Sequence, residues 1–232
     1  MPAFDVIAFD ADDTLWHNER NYERAQNQFA QLLNHYHPPE WISARLYATE
    51  SRNIEHYGYG VKAFALSMLE TAVELTEGRI TGQDVKAIIQ VARELLSVEV
   101  ELLPHVQETI PQLSARYRLM VITKGDLLDQ ETKVERSGLA QYFQTIEVVS
   151  HKTPQSYKRI LERHSILPGR FLMVGNSLKS DILPVLALGV SAVHIPYALT
   201  WLHEQAELPP ASTPGFFGLA HLGELPALLK DR

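Results

Sequence analysis

The 232-residue chain contains no cysteine. Disulfides, thiolate nucleophiles and cysteine-ligated metals are thereby excluded together. Long apolar runs are missing too. None approaches the ~20 residues needed to span a bilayer, so no membrane partner is expected. No basic stretch leads into an apolar one near the N-terminus, where Asp5 already interrupts the first apolar run. No signal peptide and a cytoplasmic address are therefore expected. Positive charge is scarce as well: Lys and Arg number 21 against 28 Asp and Glu, a formal charge of −7. Without a basic run, that balance argues against nucleic acid and anionic membrane as partners. It leaves room for a locally positive pocket that takes a small anion. The 45% hydrophobic content matches an ordinary globular protein. The length suits one large domain, or a core with a smaller second domain.

Hydrophobic periodicity changes twice along the chain. Asp5-Val6-Ile7-Ala8-Phe9-Asp10 is a short apolar run ending on a carboxylate, the pattern of a buried parallel strand that delivers Asp10 to its C-terminal edge. From residue 18 to about 100 the spacing is helical, as in Tyr22, Ala25, Phe29, Leu32, Leu33 and Tyr36, and again in Val85, Ile88, Ile89, Ala92, Leu95 and Leu96. After Pro104, four strand-like runs follow: Leu119–Ile122, Ile146–Val149, Phe171–Val174 and Ala192–Ile195. Helical segments are expected between them, near 126–137, 154–164 and 180–188, with Pro184 forcing a late start or a kink in the last. Strands alternating with helices predict an α/β fold with a parallel sheet whose C-terminal strand ends share one edge. The expected division is a core of 1–17 and 101–232 and an all-helical cap of 18–100. The Pro-, Gly- and Ser/Thr-rich stretch from 207 to 218 is expected to be a loop.

Chemistry-bearing residues cluster at the ends of those strands. Asp10-Ala11-Asp12-Asp13-Thr14 places two carboxylates two residues apart just past the first strand. Such a pattern arises by chance in roughly 4% of chains this long, and a turn explains it as well. Thr123-Lys124-Gly125-Asp126 follows the second strand, where a hydroxyl and a glycine turn can hold phosphate or can simply cap a helix. Lys152 precedes Thr153-Pro154, an N-cap with proline at the first helical position. Gly175-Asn176-Ser177-Leu178-Lys179-Ser180-Asp181 follows another strand and suits either a metal carboxylate or a turn. Each reading has a plain structural alternative taken singly. Together they supply a nucleophile, a hydroxyl, a lysine and a metal carboxylate, in order, at successive strand ends.

That ordered set resembles the haloacid dehalogenase superfamily, in its phosphatase branch with a helical cap inserted after the first strand. The resemblance implies a Rossmann-like core and a magnesium-dependent phosphatase acting on a small phosphorylated metabolite. It makes Asp10 the nucleophile that forms an aspartyl-phosphate, and Asp12 the general acid/base. Thr123, Lys124 and Lys152 would bind the phosphoryl group. Mg²⁺ would be held by Asp10, Asp181, the Asp12 backbone carbonyl and, at the edge of the site, Asn176. Asn176 stands where the family usually has Asp, which removes one negative charge. Lys152 is favoured over Lys158, which lies a turn or more into the next helix. None of the ten histidines is needed for this mechanism.

Specificity is expected from the cap stretch 52–62, with Arg52, Tyr57 and Lys62 as candidates, and from Trp16. Packing of these aromatics between cap and core is the equal alternative. Three other functions remain on the table: a carbon–halogen hydrolase, a phosphonate hydrolase with Lys62 as Schiff-base lysine, and a catalytically retired binding protein. Asp12 argues against the first two, joined by Asp181 for the first. The complete set Asp10, Asp12, Thr123, Lys152 and Asp181 argues against the third. Neither the substrate nor the oligomeric state is legible.

Overall fold

The computed structural model describes residues 4–201 and 204–230. They form two compact units. The described residues of Met1–Glu19, Val100–Lys124 and Gln130–Arg232 make one, and Arg20–Glu99 with Gly125–Asp129 make the other.

The first unit is built on a six-stranded, all-parallel sheet. Its strands are β1 (Val6–Phe9), β2 (Arg118–Lys124), β3 (Thr145–Val149), β4 (Phe171–Gly175), β5 (Ser191–His194) and β6 (Phe216–Gly218), in the order β3-β2-β1-β4-β5-β6. β1 is central and is flanked by β2 and β4, with Phe9 level with Val121 and Val174. Side-chain alternation sorts the strands onto two cores. Ile7, Phe9, Leu119, Val121, Leu172 and Val174 face one side, packed with α5 (Val106–Ser114) and α9 (Leu225–Lys230). Val6, Ala8, Met120, Ile122, Phe171 and Met173 face the other, packed with α7 (Pro154–Arg163) and α8 (Leu183–Leu186). Burial on both faces explains why these strands read as continuous apolar runs.

Two expectations are corrected here. The stretch from 207 to 218 is not all loop, because β6 adds a sixth strand through Phe216, which is buried against the sheet. Three residues are too few for a periodic signal to stand out from the surrounding Pro and Gly. The helix expected over 180–188 is instead a π-helical turn, Leu178–Ile182, followed by the one-turn α8. The break places Pro184 in the first turn of α8, where its missing N–H costs no helix bond.

The second unit is helical: most of α1 (Glu19–Leu32), then α2 (Pro39–Tyr57), α3 (Val61–Leu75) and α4 (Gly82–Ser97). α2 packs on α3 and α3 on α4 around Phe29, Leu33, Ile42, Leu46, Phe64, Met68 and Ile88. Thr81 and Asp84 close a capping box at the start of α4. Among the described residues, no helix is long and apolar enough to cross a membrane.

Candidate active site

The site grows from the end of β1. Asp10 directly follows Phe9, and its N–H bonds to the Val174 carbonyl at 2.9 Å, which fixes its backbone between the neighbouring strands. The chain then turns at once: Leu15 N–H donates to the Ala11 carbonyl at 2.8 Å. That turn lays Thr14 back over the nucleophile candidate, so that its hydroxyl lies 3.0 Å from Asp10 Oδ2 and 3.2 Å from Asn176 Oδ1. Having one proton, the hydroxyl donates to one of these at a time. It also accepts the Asn176 N–H at 3.1 Å. Asp13, with φ of 64°, accepts the backbone N–H groups of Asn18 and Glu19 at 2.8–3.1 Å, where α1 begins. Asp13 and Thr14 sat inside the first motif, yet only the folded turn assigns them these tasks.

Lys152 lies at the centre of the site. Its ammonium is buried and donates to Asp10 Oδ1 at 2.5 Å and to Asp181 Oδ1 at 2.6 Å. The local reason is the junction after β3. Thr153 caps α7 with Ser156 and puts Pro154 at the first helical position, so Lys152 is the last residue before a fixed helix start. Lys158, by contrast, is exposed on the helix surface beside Glu162. Asp181 is wholly buried, and its Oδ2 accepts the Ser177 N–H at 3.0 Å. Its carboxylate lies against the end of β4, in space that is open because residue 175 is glycine: a Cβ there would meet Asp181 Oδ2 at 2.3 Å.

The charges do not balance, since one ammonium faces two carboxylates. Burial pushes the Asp10 carboxyl up and Asp181 pushes it further, while Lys152 opposes both, leaving it at about 7. Burial works against the Lys152 ammonium, but Asp10 and Asp181 outweigh it and hold the proton far above the usual lysine range. The Tyr157 hydroxyl, pushed up first by burial, donates to the Ser180 carbonyl at 3.0 Å. A carboxylate pair short of one positive charge attracts a cation. The carboxylate oxygens, with Asn176 Oδ1 within reach of Thr14, suit a hard ion such as Mg²⁺ rather than a soft one. Among the described residues no three His, Asp or Glu side chains converge into a metal cage. Magnesium retains several waters, so a carboxylate pair with amide or carbonyl oxygens is still a fitting donor set.

Asp12 is brought to the same turn but held differently. Its carboxylate accepts the Trp16 indole N–H at 2.8 Å, the Gln130 amide at 2.8 Å and the Lys133 ammonium at 3.1 Å. Gln130 in turn accepts the Thr123 hydroxyl at 3.2 Å, so Thr123 and Asp12 are tied through one side chain. Gln130 and Lys133 lie three apart on α6 (Leu127–Arg136), on one helical face. Sequence reading missed both, because their helical spacing carries no mark of what the face meets. Trp16, a specificity candidate, lies beside Asp12 with its ring covered, the packing alternative weighed for it. Its ring is 1% exposed in the core, pinned by a bridge to Leu102, and its polar edge is committed to Asp12. An indole of that size is covered because the N–H finds a partner inside.

Lys124, at the end of β2, donates to the Ser180 hydroxyl at 2.9 Å and forms an ion pair with Glu204. Glu204 also accepts the Ser177 and Ser180 hydroxyls. Burial would raise this carboxyl, but Lys124 and the two hydroxyls prevail and hold it at about 2. Glu204 was invisible in the sequence, since it follows β5 outside any motif. The stretch 52–62, where specificity was expected, is mostly the end of α2, and the bend is confined to Gly58 and Gly60, both at positive φ. Arg52 pairs with Glu70 and Glu74 of α3 inside the helical unit. Tyr57 is exposed, and Lys62 pairs with Asp126 at 3.3 Å. Gly60 is needed there, because a Cβ would meet Asp126 Oδ2 at 2.7 Å.

Comparison with known proteins decides the family. Residues 4–189 match the model of the haloacid dehalogenase-like hydrolases. The chain belongs to this family. A curated relative is the N-acylneuraminate-9-phosphatase of Mus musculus, 25% identical over 97% of this chain and 94% of its own. The glyceraldehyde 3-phosphate phosphatase of Methanothermobacter thermautotrophicus is 32% identical, but over only 42% of this chain and 46% of its own. Among solved structures, a haloacid dehalogenase-like family hydrolase from Xanthomonas campestris superposes with a TM-score of 0.87 at 38% identity, covering 100% of this chain and 96% of the other. The α/β sheet is thus that of a haloacid dehalogenase-like hydrolase.

Proposed function

We propose that this haloacid dehalogenase-like hydrolase is a magnesium-dependent phosphatase that cleaves a small phosphomonoester through a phosphoryl group carried on Asp10. The observation that carries the reading is the buried Asp10–Lys152–Asp181 cluster at the end of β1, with Thr14 holding Asp10 Oδ2. A buried carboxylate held in place by Lys152 and Thr14 is positioned to attack phosphorus. The new Asp10 O–P bond forms as the ester O–P bond breaks, and the alkoxide leaves with a proton from Asp12. Asp12 then takes a proton from water, whose oxygen attacks the phosphorus and frees Asp10. Gln130 ties Asp12 to Thr123, which aligns the acid/base with the residue we assign to the phosphoryl oxygens. Lys152 keeps Asp10 in line and offsets charge on the transferring group.

We assign Asp10, Asp181, the Asp12 carbonyl and Asn176 to Mg²⁺, which when bound offsets repulsion between nucleophile and dianion and stabilises charge on the phosphoryl oxygens. The phosphatase names of the mouse relative, matched over 97% of this chain, and of the archaeal one, matched over 42%, favour this reading over carbon–halogen cleavage. We place the enzyme in the cytoplasm and take Arg52, Tyr57 and Lys62 as cap residues whose part in substrate choice is to be tested by substitution.

The test is hydrolysis of p-nitrophenyl phosphate and a panel of phosphorylated metabolites, acylneuraminate 9-phosphates included, with Mg²⁺ and with excess chelator. Turnover should require Mg²⁺ and vanish in Asp10→Asn. Equal rates with chelator, or an active Asp10→Asn protein free of contaminating phosphatase, would refute it.

A further inference from the structure

Lys124, which the family resemblance assigns to the phosphoryl group, is paired with a carboxylate that the mechanism above does not use. Lys124, Ser177 and Ser180 converge on a single carboxylate, Glu204. The Ser180 hydroxyl lies 2.5 Å from Glu204 Oε2, and its N–H donates to Ser177 Oγ at 3.0 Å, so the two hydroxyls are held in register by the π-helical turn. The Lys124 ammonium completes the set from the other side at 2.9 Å from Ser180 Oγ. One ammonium and two hydroxyls aimed at two carboxylate oxygens make a general oxyanion cradle. Nothing in it is specific to a glutamate.

Its place in the sheet gives the cradle meaning. Lys124 ends β2 and Ser177–Ser180 follow β4, the two strands that flank β1. Strands lie ~4.8 Å apart, so the β2 and β4 ends are separated by roughly 10 Å, and a side chain joining them crosses the end of β1. That end carries Asp10. The cradle therefore straddles the nucleophile. Ser177 also positions Asp181 through its N–H, so the cradle and the acidic pair share a backbone. Glu204 itself belongs to no strand or α-helix, and it reaches the cradle by its side chain from the connection between β5 and β6.

We infer that Lys124, Ser177 and Ser180 form an anion subsite next to Asp10 that takes an oxyanion of the phosphate class, and that Glu204 is its resident carboxylate, which an incoming oxyanion must displace. The inference rests on the phosphatase reading for the identity of the oxyanion. Its physical content is competition. Phosphate and Glu204 want the same donors, so the glutamate weakens apparent affinity for substrate and product alike. It also gives the half-buried Lys124 ammonium a charged partner when no anion is bound.

The test measures binding of inorganic phosphate by calorimetry to wild type, Glu204→Gln, Glu204→Ala, Lys124→Met and the Lys124→Met/Glu204→Gln pair. Binding needs no turnover, so it is scored independently of the phosphatase assay on the same preparation. Removing the charge while keeping an acceptor should tighten phosphate binding about tenfold, the gap between charged and neutral hydrogen-bond partners. Lys124→Met should weaken it, and Glu204→Gln should add nothing in that background. Unchanged or weaker phosphate binding in both Glu204 variants, or no measurable binding in any protein, overturns the subsite. Failure of p-nitrophenyl phosphate hydrolysis alongside tighter binding in Glu204→Gln would instead strike the catalytic reading.

Discussion

Gly175→Ala is the smallest change that tests the geometry of the acidic pair. The φ of Gly175 is not positive, so the glycine is not there for backbone freedom. It is there for space. A Cβ at 175 would lie 2.3 Å from Asp181 Oδ2, 2.4 Å from Cγ and 2.6 Å from Cβ, where ordinary contact starts at 3.4 Å. Relieving the Cγ contact alone takes 3.4 − 2.4 = 1.0 Å of movement. Asp181 has little freedom to yield, being wholly buried, bonded to Lys152 at 2.6 Å and to the Ser177 N–H at 3.0 Å. Overpacking of this kind costs about 1–3 kcal/mol. For a chain of this size that lowers Tm by roughly 2–4 °C per kcal/mol. A 1 Å misplacement of a catalytic group costs on the order of 100-fold in rate, so activity should fall far more than stability. Urea unfolding followed by circular dichroism reads the first effect, and p-nitrophenyl phosphate turnover at saturating Mg²⁺ reads the second. A Gly175→Ala protein with wild-type stability and turnover would show that Asp181 does not lie over residue 175 as described.

Two further outcomes follow from the charges. Lys152→Met leaves the buried Asp10 and Asp181 carboxylates without their shared cation, and should cost about 3–5 kcal/mol at neutral pH in a denaturant titration; a loss below 1 kcal/mol would contradict the burial of that pair. For Glu204 the carboxyl is lowered from 4.5 to about 2, so its stabilisation is present above about 4.5 and is lost as pH falls towards about 2. The stability difference between wild type and Glu204→Gln should therefore be flat from pH 8 to 5 and shrink below that; a difference that grows with acid would refute the assignment.

Much of the fold was readable because burial on both faces of a parallel sheet writes itself as unbroken apolar runs. β1, β2, β3, β4 and β5 fall within one or two residues of the expected strands. The helical spacing from 18 to about 100 likewise marked an all-helical stretch: the run from Tyr22 begins in α1 and the run Val85–Leu96 lies in α4, each an apolar stripe at 3.6-residue spacing. What escaped were elements too short for a period: β6, and the π-helical turn that lets Pro184 begin a helix.

The sequence alone determined which residues stand at the strand ends, because strand length and the next cap set where a chain leaves the sheet. Asp10, Thr123, Lys152 and, six residues past β4, Asp181 were nominated by their order along the chain and by the family resemblance it carries. Only the tertiary structure decided what each of them meets. Strand order puts β2 and β4 beside β1, although about 110 and 165 residues of chain separate them from it. Lys152 bonds Asp10 across 142 positions, and Lys124 reaches Glu204 across 80. Trp16 turned inward to Asp12, and Gln130 and Lys133 joined the site from a helix face without a motif. Local patterns record the periodicity of burial. Pairings of charge at such separations exist only once the sheet has assembled and closed them off from water.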